Sequence, residues 1–382
     1  MKQIVCLATS PWYPIPTRKQ QVMSRIPDAE ILYFDPSITY IAPLKDKAAK
    51  PGLTAYQKPG AHPQANITVY SLPPVLPFFY KFRWINKLNQ RRMARFVRKK
   101  MREHSFSDAV LWVYSPVTVD LVDHVPHKGL VYDCVDRHSA YGGLMDPALV
   151  DAMELELAGK TDMTFATADA LAERLRTVQP ETVMIPNGAN FERFVQASQP
   201  QPVPDDLAGI PHPIFGFVGA LQSCIEYDYL EAAAKARPDW HFVLIGKEKP
   251  GVDLSALHAM QNVHFLGLKP NEQLPQYLAH FDACLNLFAK SDLSKDVSPL
   301  KFYEYLATGR PIVSTKQPDQ ILQYAPLIEI ADSPAEFISA CETSLHDDTP
   351  ERTAARIEAG RACSWDSRVS QMCDLLQKHR IL

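Results

Sequence analysis

Short apolar runs alternate with amphipathic stretches along the whole chain. Ile4–Ala8, Ala29–Phe34, Ile67–Ser71, Ala109–Tyr114, Gly129–Tyr132, Met163–Ala166 and Thr182–Ile185 have the length and composition of buried strands. Between them, Lys19–Arg25, Asn86–Glu103, Pro147–Ala158 and Ala168–Val178 read as helices. Such alternation implies a parallel sheet covered on both faces. The polar, proline-rich segment Ser198–Pro204 interrupts the pattern and reads as a linker. The alternation then restarts. Strands are expected at Ile214–Val218, His241–Ile245, Val263–Leu266, Ala283–Leu287 and Pro311–Ser314. Helices are expected at Tyr229–Arg237, Leu274–Ala279, Pro334–Leu345 and Glu351–Ala362. The pattern predicts an α/β protein with two doubly wound Rossmann-like domains, 1–197 and 205–365, facing a cleft. A last helix, Asp366–Lys378, is expected to cross back from 366–382 onto the first domain.

The 382-residue length fits two domains, and 46% hydrophobic residues suffice for two full cores. A net charge of −3 creates no global field for nucleic acid. Seven scattered cysteines with no CxxC pair point to reduced thiols in a cytoplasmic protein, not to disulfides or zinc. No run approaches the roughly 18 apolar residues of a membrane span. The apolar run at the N-terminus is too short for a signal peptide and reads as a strand. Neither G-x-G-x-x-G after the first strand, nor G-x-x-x-x-G-K-[ST], nor HExxH is present. Dehydrogenase, P-loop and zincin readings lose their usual signals.

The segment from Asp296 to Pro311 remains as the phosphate-binding candidate. Ser298 reads as an N-cap, Pro299 as the first helical residue, and Gly309 and Pro311 as stop signals. A helix start offers free N–H groups, here around Leu300, and a positive dipole end that suits an anion. Lys301 in that first turn opposes the dipole, which makes better sense with an anion bound. Glu304 follows on the same helical face, and Asp296 stands eight residues before it. An ordinary amphipathic helix, burying Leu300, Phe302, Tyr303 and Leu306, is the competing reading.

Gly216–Leu221, Phe242–Gly246, Asn262–Gly267, Tyr277–Leu285, Ile185–Gly188 and the Asp296–Pro311 segment, in this order and spacing, resemble the GT-B glycosyltransferases of group 1 (family 4-like). The type is that of bacterial teichuronic-acid and exopolysaccharide biosynthesis. The resemblance implies a metal-independent enzyme with no cofactor and a nucleotide-sugar donor, expected to be a UDP-sugar. It assigns donor-sugar contacts to Asp296, ribose contacts to Glu304, and pyrophosphate contacts to the backbone N–H groups around Leu300 and Lys301, with the Lys301 side chain a further phosphate or nucleotide contact; Ser298 belongs to the same donor-binding set. Two departures stand out: Asp296 replaces the usual Glu, and Pro299 replaces a glycine. The turn after Gly219 also lacks the family's basic residue, for which Lys247 is a candidate substitute or a plain solvated lysine.

Two first-domain segments are candidates for the acceptor. The loop Ser10–Gln21 follows the first strand and offers Trp12, Tyr13, Arg18 and Gln20 for sugar stacking and hydroxyl recognition. Ser115 follows another strand end. Tyr132–His138 resembles a Tyr-Asp-x-x-Asp stretch in the same transferases. It places Asp136, then His138, as candidate bases for the acceptor hydroxyl. Asp136 fits equally well as a cap for a helix near Gly142–Leu144. Retention and inversion both remain open.

Residues 81–102 hold ten of the chain's forty basic residues and no acidic one. With Phe78 and Phe79 before them, Arg91, Arg92, Arg95 and Lys99 suit an anionic membrane surface better than nucleic acid. A solvated helix face fits the same charges. The expected protein is cytoplasmic and peripheral on the inner face of the cell membrane, with a glycolipid or oligosaccharide acceptor. A catalytically silent GT-B subunit and a sugar-nucleotide epimerase are the other readings.

Overall fold

The computed structural model describes residues 1–140, 145–291 and 294–382. The chain divides into two compact units, Met1–Pro186 with Val369–Leu382, and Asn187–Arg368. The segment 198–204 lies inside the second unit, which begins at Asn187.

The strands of the first unit are β1 (Lys2–Leu7), β2 (Ala29–Asp35), β3 (Ala61–Gln64), β4 (Ile67–Ser71), β5 (Ala109–Val113), β6 (Gly129–Cys134), β7 (Met163–Ala166) and β8 (Val183–Met184). Their spatial order is β3-β4-β2-β1-β5-β6-β7-β8. Every pairing is parallel except β3 with β4. Val110, Leu111, Trp112 and Val113 are all fully buried, which explains an apolar run without alternation: helices cover both faces. The order reverses between β1 and β5, so the loops after these strands form the switch point where ligands enter such sheets.

The second unit contains β9 (Ile214–Val218), β10 (His241–Ile245), β11 (Val263–Gly267), β12 (Ala283–Asn286), β13 (Ile312–Thr315) and β14 (Glu329–Ala331). These form a parallel sheet in the order β11-β10-β9-β12-β13-β14. Its switch point lies between β9 and β12. The two sheets are Rossmann-like, as the alternation implies. The long basic helix runs over Arg83–Glu103, three residues longer at its start than its periodicity predicts. Strands β3 and β14 have no counterpart in the sequence reading. The first is exposed and holds Pro63; the second spans three residues. Among the described residues, no helix is long and apolar enough to cross a membrane.

Candidate active site

At the second switch point, the ends of β9 and β10 approach closely. The Gly219 N–H donates to the Ile245 carbonyl at 2.9 Å, and Leu221 N–H to Lys247 O at 3.0 Å. A Cβ on Gly246 would lie 1.7 Å from the Gly219 carbonyl oxygen, so only glycine fits there. Lys247 is exposed just beyond this contact.

The helix Leu300–Thr308 starts in the loops that follow β12. Tyr305 anchors it beside β9: its hydroxyl accepts from Val218 N–H at 2.8 Å, one residue before Gly219. The cap differs from the sequence expectation. Pro299 is the N-cap, with no side-chain cap, and Leu300 is the first helical residue. Ser298 instead accepts the Asn187 N–H at 2.9 Å, while Asn187 Nδ2 donates to the Ser298 carbonyl at 3.0 Å. Gln320 donates to the Val297 carbonyl and accepts from the Tyr303 hydroxyl at 2.9 Å. Asn187 and Gln320 therefore hold the segment before the helix from both sides. The Phe302 N–H donates to the Pro299 carbonyl at 3.1 Å, which leaves the N–H groups of Leu300 and Lys301 as those an anion would use. Lys301 Nζ lies 2.7 Å from Glu304 Oε2, and Asp296 is buried nearby in sequence. The cation and one of the two carboxylates expected for this segment thus meet in the first turns of the helix, and Asp296 lies four residues before its start. At the other end Gly309 adopts φ +73° and closes the helix.

At the first switch point the loop after β1 is largely self-satisfied. Gln20 accepts from the Thr17 N–H at 2.9 Å and donates to the carbonyls of Pro11 and Trp12 at 2.7 and 3.1 Å. Thr17 and Gln20 form a capping box. Trp12 is buried edge-on against Tyr33. Arg18 is 3% exposed, and its Nε lies 2.9 Å from Asp133 Oδ2 while Nη1 donates to the Pro186 carbonyl at 3.0 Å. Trp12, Arg18 and Gln20, read from sequence as acceptor contacts, are placed here as the framework of the loop. Tyr13 is exposed.

Lys19, which the sequence reading passed over, is 7% exposed with its ammonium 5.6 Å from the Tyr114 ring centre. Burial lowers its pKa; Asp136 and Asp133 act in the other direction. A signal was available: Arg18 and Lys19 both sit in a first turn, against the helix dipole, as Lys301 does. His138 is also buried, and desolvation brings it down to about 4, so its ring is uncharged at neutral pH. Asp136 is half-buried two residues away. The helix once expected near Gly142–Leu144 lies outside the described residues. Ser115 is buried at the end of β5. Lys19, Asp136 and His138 give the unit a cation, a carboxylate and a neutral imidazole at its strand ends. That set can hold an anion and take up a proton.

On the basic helix, Arg91 and Arg95 are exposed and carry no ion pair among the described residues. Arg92 donates to the Tyr40 hydroxyl, and Lys99 Nζ lies 3.8 Å from Glu103. Phe78 is 41% exposed, but Phe79 is half-buried against the core. Phe82, Trp84 and Leu88 are exposed at 44%, 67% and 52%, a larger apolar face than the sequence reading identified.

Residues 212–347 match the family model described as glycosyl transferases group 1. Over 269 residues the chain is 26% identical to the putative teichuronic acid biosynthesis glycosyltransferase TuaH of Bacillus subtilis (strain 168), covering 65% of this chain and 68% of that protein. Its fold is similar to sucrose-phosphate synthase from Thermosynechococcus elongatus, with TM-score 0.70, 14% identity and 99% of both chains covered. It is also similar to a trehalose-6-phosphate structure from E. coli bound with UDP-2-fluoro glucose, with TM-score 0.69, 12% identity and 100% of both chains covered.

Proposed function

We propose that this chain, a GT-B protein whose residues 212–347 form a group 1 glycosyl transferase domain, moves a sugar from a UDP-sugar to a lipid-linked or growing polysaccharide acceptor at a membrane surface. The observation that carries this reading is the Lys301–Glu304 pair in the first turns of a helix at the second unit's switch point. In this reading the N–H groups around Leu300 and the Lys301 ammonium take the diphosphate, and Glu304 takes the ribose hydroxyls. Asp296 takes the hydroxyls of the donor sugar, and Ser298 holds the segment through Asn187. The acceptor oxygen attacks the anomeric carbon, the bond from that carbon to the diphosphate oxygen breaks, and UDP leaves with the added charge. The acceptor proton passes to Asp136, with His138 as the neighbouring neutral group. Charge stabilisation by fixed donors of this kind is worth roughly 3 kcal/mol per contact in a dry site. The UDP-2-fluoro glucose in the E. coli neighbour supports a UDP-linked donor, and the likeness to TuaH supports polysaccharide biosynthesis.

A thermal-shift screen against nucleoside diphosphates and their sugars tests the donor class directly. UDP and UDP-sugars should raise the melting temperature above ADP or GDP. A screen in which no nucleotide stabilises the chain would sink the reading. Asp136→Asn should lower turnover at least about 100-fold, the usual scale of a lost general base, with donor binding retained. Near-normal turnover would remove Asp136 from that role.

The membrane surface rests on Phe78, Phe82, Trp84 and Leu88 beside the unpaired charges of Arg91 and Arg95. Each basic residue near an anionic bilayer contributes about 1 kcal/mol. Reversing Arg91 and Arg95 to Glu should therefore reduce co-sedimentation with phosphatidylglycerol vesicles at least tenfold at low salt. Wild-type protein that ignores such vesicles would refute this part.

A further inference from the structure

The first unit buries one ammonium without pairing it. Lys19 is 7% exposed, and among the described residues its Nζ has neither a hydrogen bond nor an ion pair. Its neighbour Arg18 is the contrast. Arg18 Nε lies 3.1 and 2.9 Å from the two Asp133 oxygens, and Nη1 donates to the Pro186 carbonyl at 3.0 Å. Asp133 is fully buried and committed to that pair. A buried ammonium is costly until its N–H groups meet acceptors.

The surroundings narrow what the missing acceptor is. Val113, the last residue of β5, is flanked in register by Leu7 of β1 and Tyr132 of β6, so Tyr114 lies at the switch point. Lys19 Nζ is 5.6 Å from the centre of the Tyr114 ring, and the His138 ring is hydrogen-bonded to the Tyr114 backbone. The charged and titratable groups acting on Lys19 are Arg18 on its own helix, Cys6 on β1, Asp133 on β6 and Asp136 in the loop after it. Burial lowers the Lys19 pKa most; Asp136, Asp133 and Cys6 raise it, and Arg18 lowers it. Asp136 acts more strongly than Asp133 and, unlike it, is only half-buried. An anion at this place would meet the Asp136 carboxylate as well as the ammonium. A hydroxyl suits both, since its oxygen accepts from Nζ while its proton goes to the carboxylate.

We propose that Lys19 is a further catalytic residue, whose ammonium holds the oxygen of the acceptor hydroxyl that Asp136 deprotonates. This rests on the glycosyltransferase reading above and adds a residue to its acceptor side. A hydroxyl oxygen carries one proton and two lone pairs. The proton points at Asp136, one lone pair accepts from Lys19, and the other is left to attack the anomeric carbon. As the new carbon–oxygen bond forms, the proton moves to the Asp136 carboxylate. The bond from the anomeric carbon to the diphosphate oxygen breaks, and its electron pair leaves with UDP. Lys19 keeps its proton throughout. It orients the attacking lone pair and sets a positive charge against the oxygen while the proton leaves.

Water serves as the acceptor probe. The full chain is incubated with the UDP-sugar that gives the largest thermal shift, and released UDP is measured. Lys19→Met keeps the length of the side chain and should lower kcat at least about 100-fold, with UDP affinity by calorimetry within about twofold. Lys19→Arg keeps a charge and donors, and should recover at least about a tenth of the wild-type kcat. It should also extend the alkaline side of the pH profile. Wild-type kcat falls as the ammonium is lost, below the ordinary lysine range, whereas a guanidinium does not titrate there. The position of that limb does not depend on the folded fraction, so it can be read even in a destabilised variant. A fall in UDP affinity as large as the fall in kcat would put Lys19 on the donor and overturn the proposal. Equal losses in Lys19→Met and Lys19→Arg would make Lys19 a packing residue and overturn it too, as would an alkaline limb that Lys19→Arg leaves in place. If wild type turns over no UDP-sugar, the glycosyltransferase reading fails. If it does and Lys19→Met matches it, only the Lys19 assignment fails.

Discussion

Glu304→Ala should lose about 10- to 100-fold in affinity for UDP, measured by calorimetry, with the fold intact. The carboxylate is 8% exposed and pairs with Lys301 across one helical turn, so its position is fixed before any ligand arrives. A hydrogen bond to a charged group contributes about 1.5–3 kcal/mol, which sets the size of the loss. Stability should change by less than about 1 kcal/mol. Lys301 is 29% exposed and stays solvated when its partner is lost, and alanine favours the helix. Lys301→Met provides the companion measurement: affinity for UDP should fall more than affinity for uridine, since the ammonium is assigned to phosphate. Unchanged UDP affinity in Glu304→Ala would remove the segment from donor binding.

Arg356→Met should destabilise the second unit by about 3–5 kcal/mol in denaturant titration, the scale for breaking one partner of a buried ionic contact. Arg356 is 1% exposed. Its Nε and Nη2 donate to the Gly309 carbonyl at 3.0 and 2.9 Å, and Nη2 also meets Asp348 Oδ1 at 2.7 Å. Gly309 is the left-handed cap of the helix that starts at Leu300. Arg356 therefore stabilises the far end of the candidate donor helix while tying it to the helix Pro350–Ala362. Asp348→Asn should cost less, because Arg356 keeps both bonds to Gly309. A cost below about 1 kcal/mol for Arg356→Met would show that the guanidinium does not tie the two helices.

Most strands were legible because a sheet buried on both faces leaves continuous apolar runs, as in Val110–Val113 or Ile214–Val218. The candidate donor segment was legible because its chemistry is local: a helix start, a cation and a carboxylate within five residues. What was not legible depends on distant partners. The role of Ser298 is decided by Asn187, 111 positions away, and that of Arg18 by Asp133, 115 positions away. No spacing rule reaches so far. Gln20 is different, since Thr17-Arg18-Lys19-Gln20 carries a capping-box signature in plain sequence. Reading it as such would have assigned Gln20 to the loop's own bonding. Phe79 illustrates another limit. It is adjacent to Phe78 and chemically identical, yet the left-handed backbone at Phe78 leaves one ring exposed and the other packed against the core.

The second unit enters at Asn187 and leaves at Arg368, and its two ends are laced together. Ala189 N–H donates to the Cys363 carbonyl at 3.0 Å, and Trp365 N–H returns to the Ala189 carbonyl at 2.9 Å. A segment whose first and last residues already touch is topologically an insert, and an insert can be lifted out or re-ended without stretching its backbone. Excision at Asn187 and Arg368, or circular permutation through a short bridge between them, keeps both lacing bonds. The second unit, with the 212–347 segment inside it, then becomes a transplantable cassette, separable from the first.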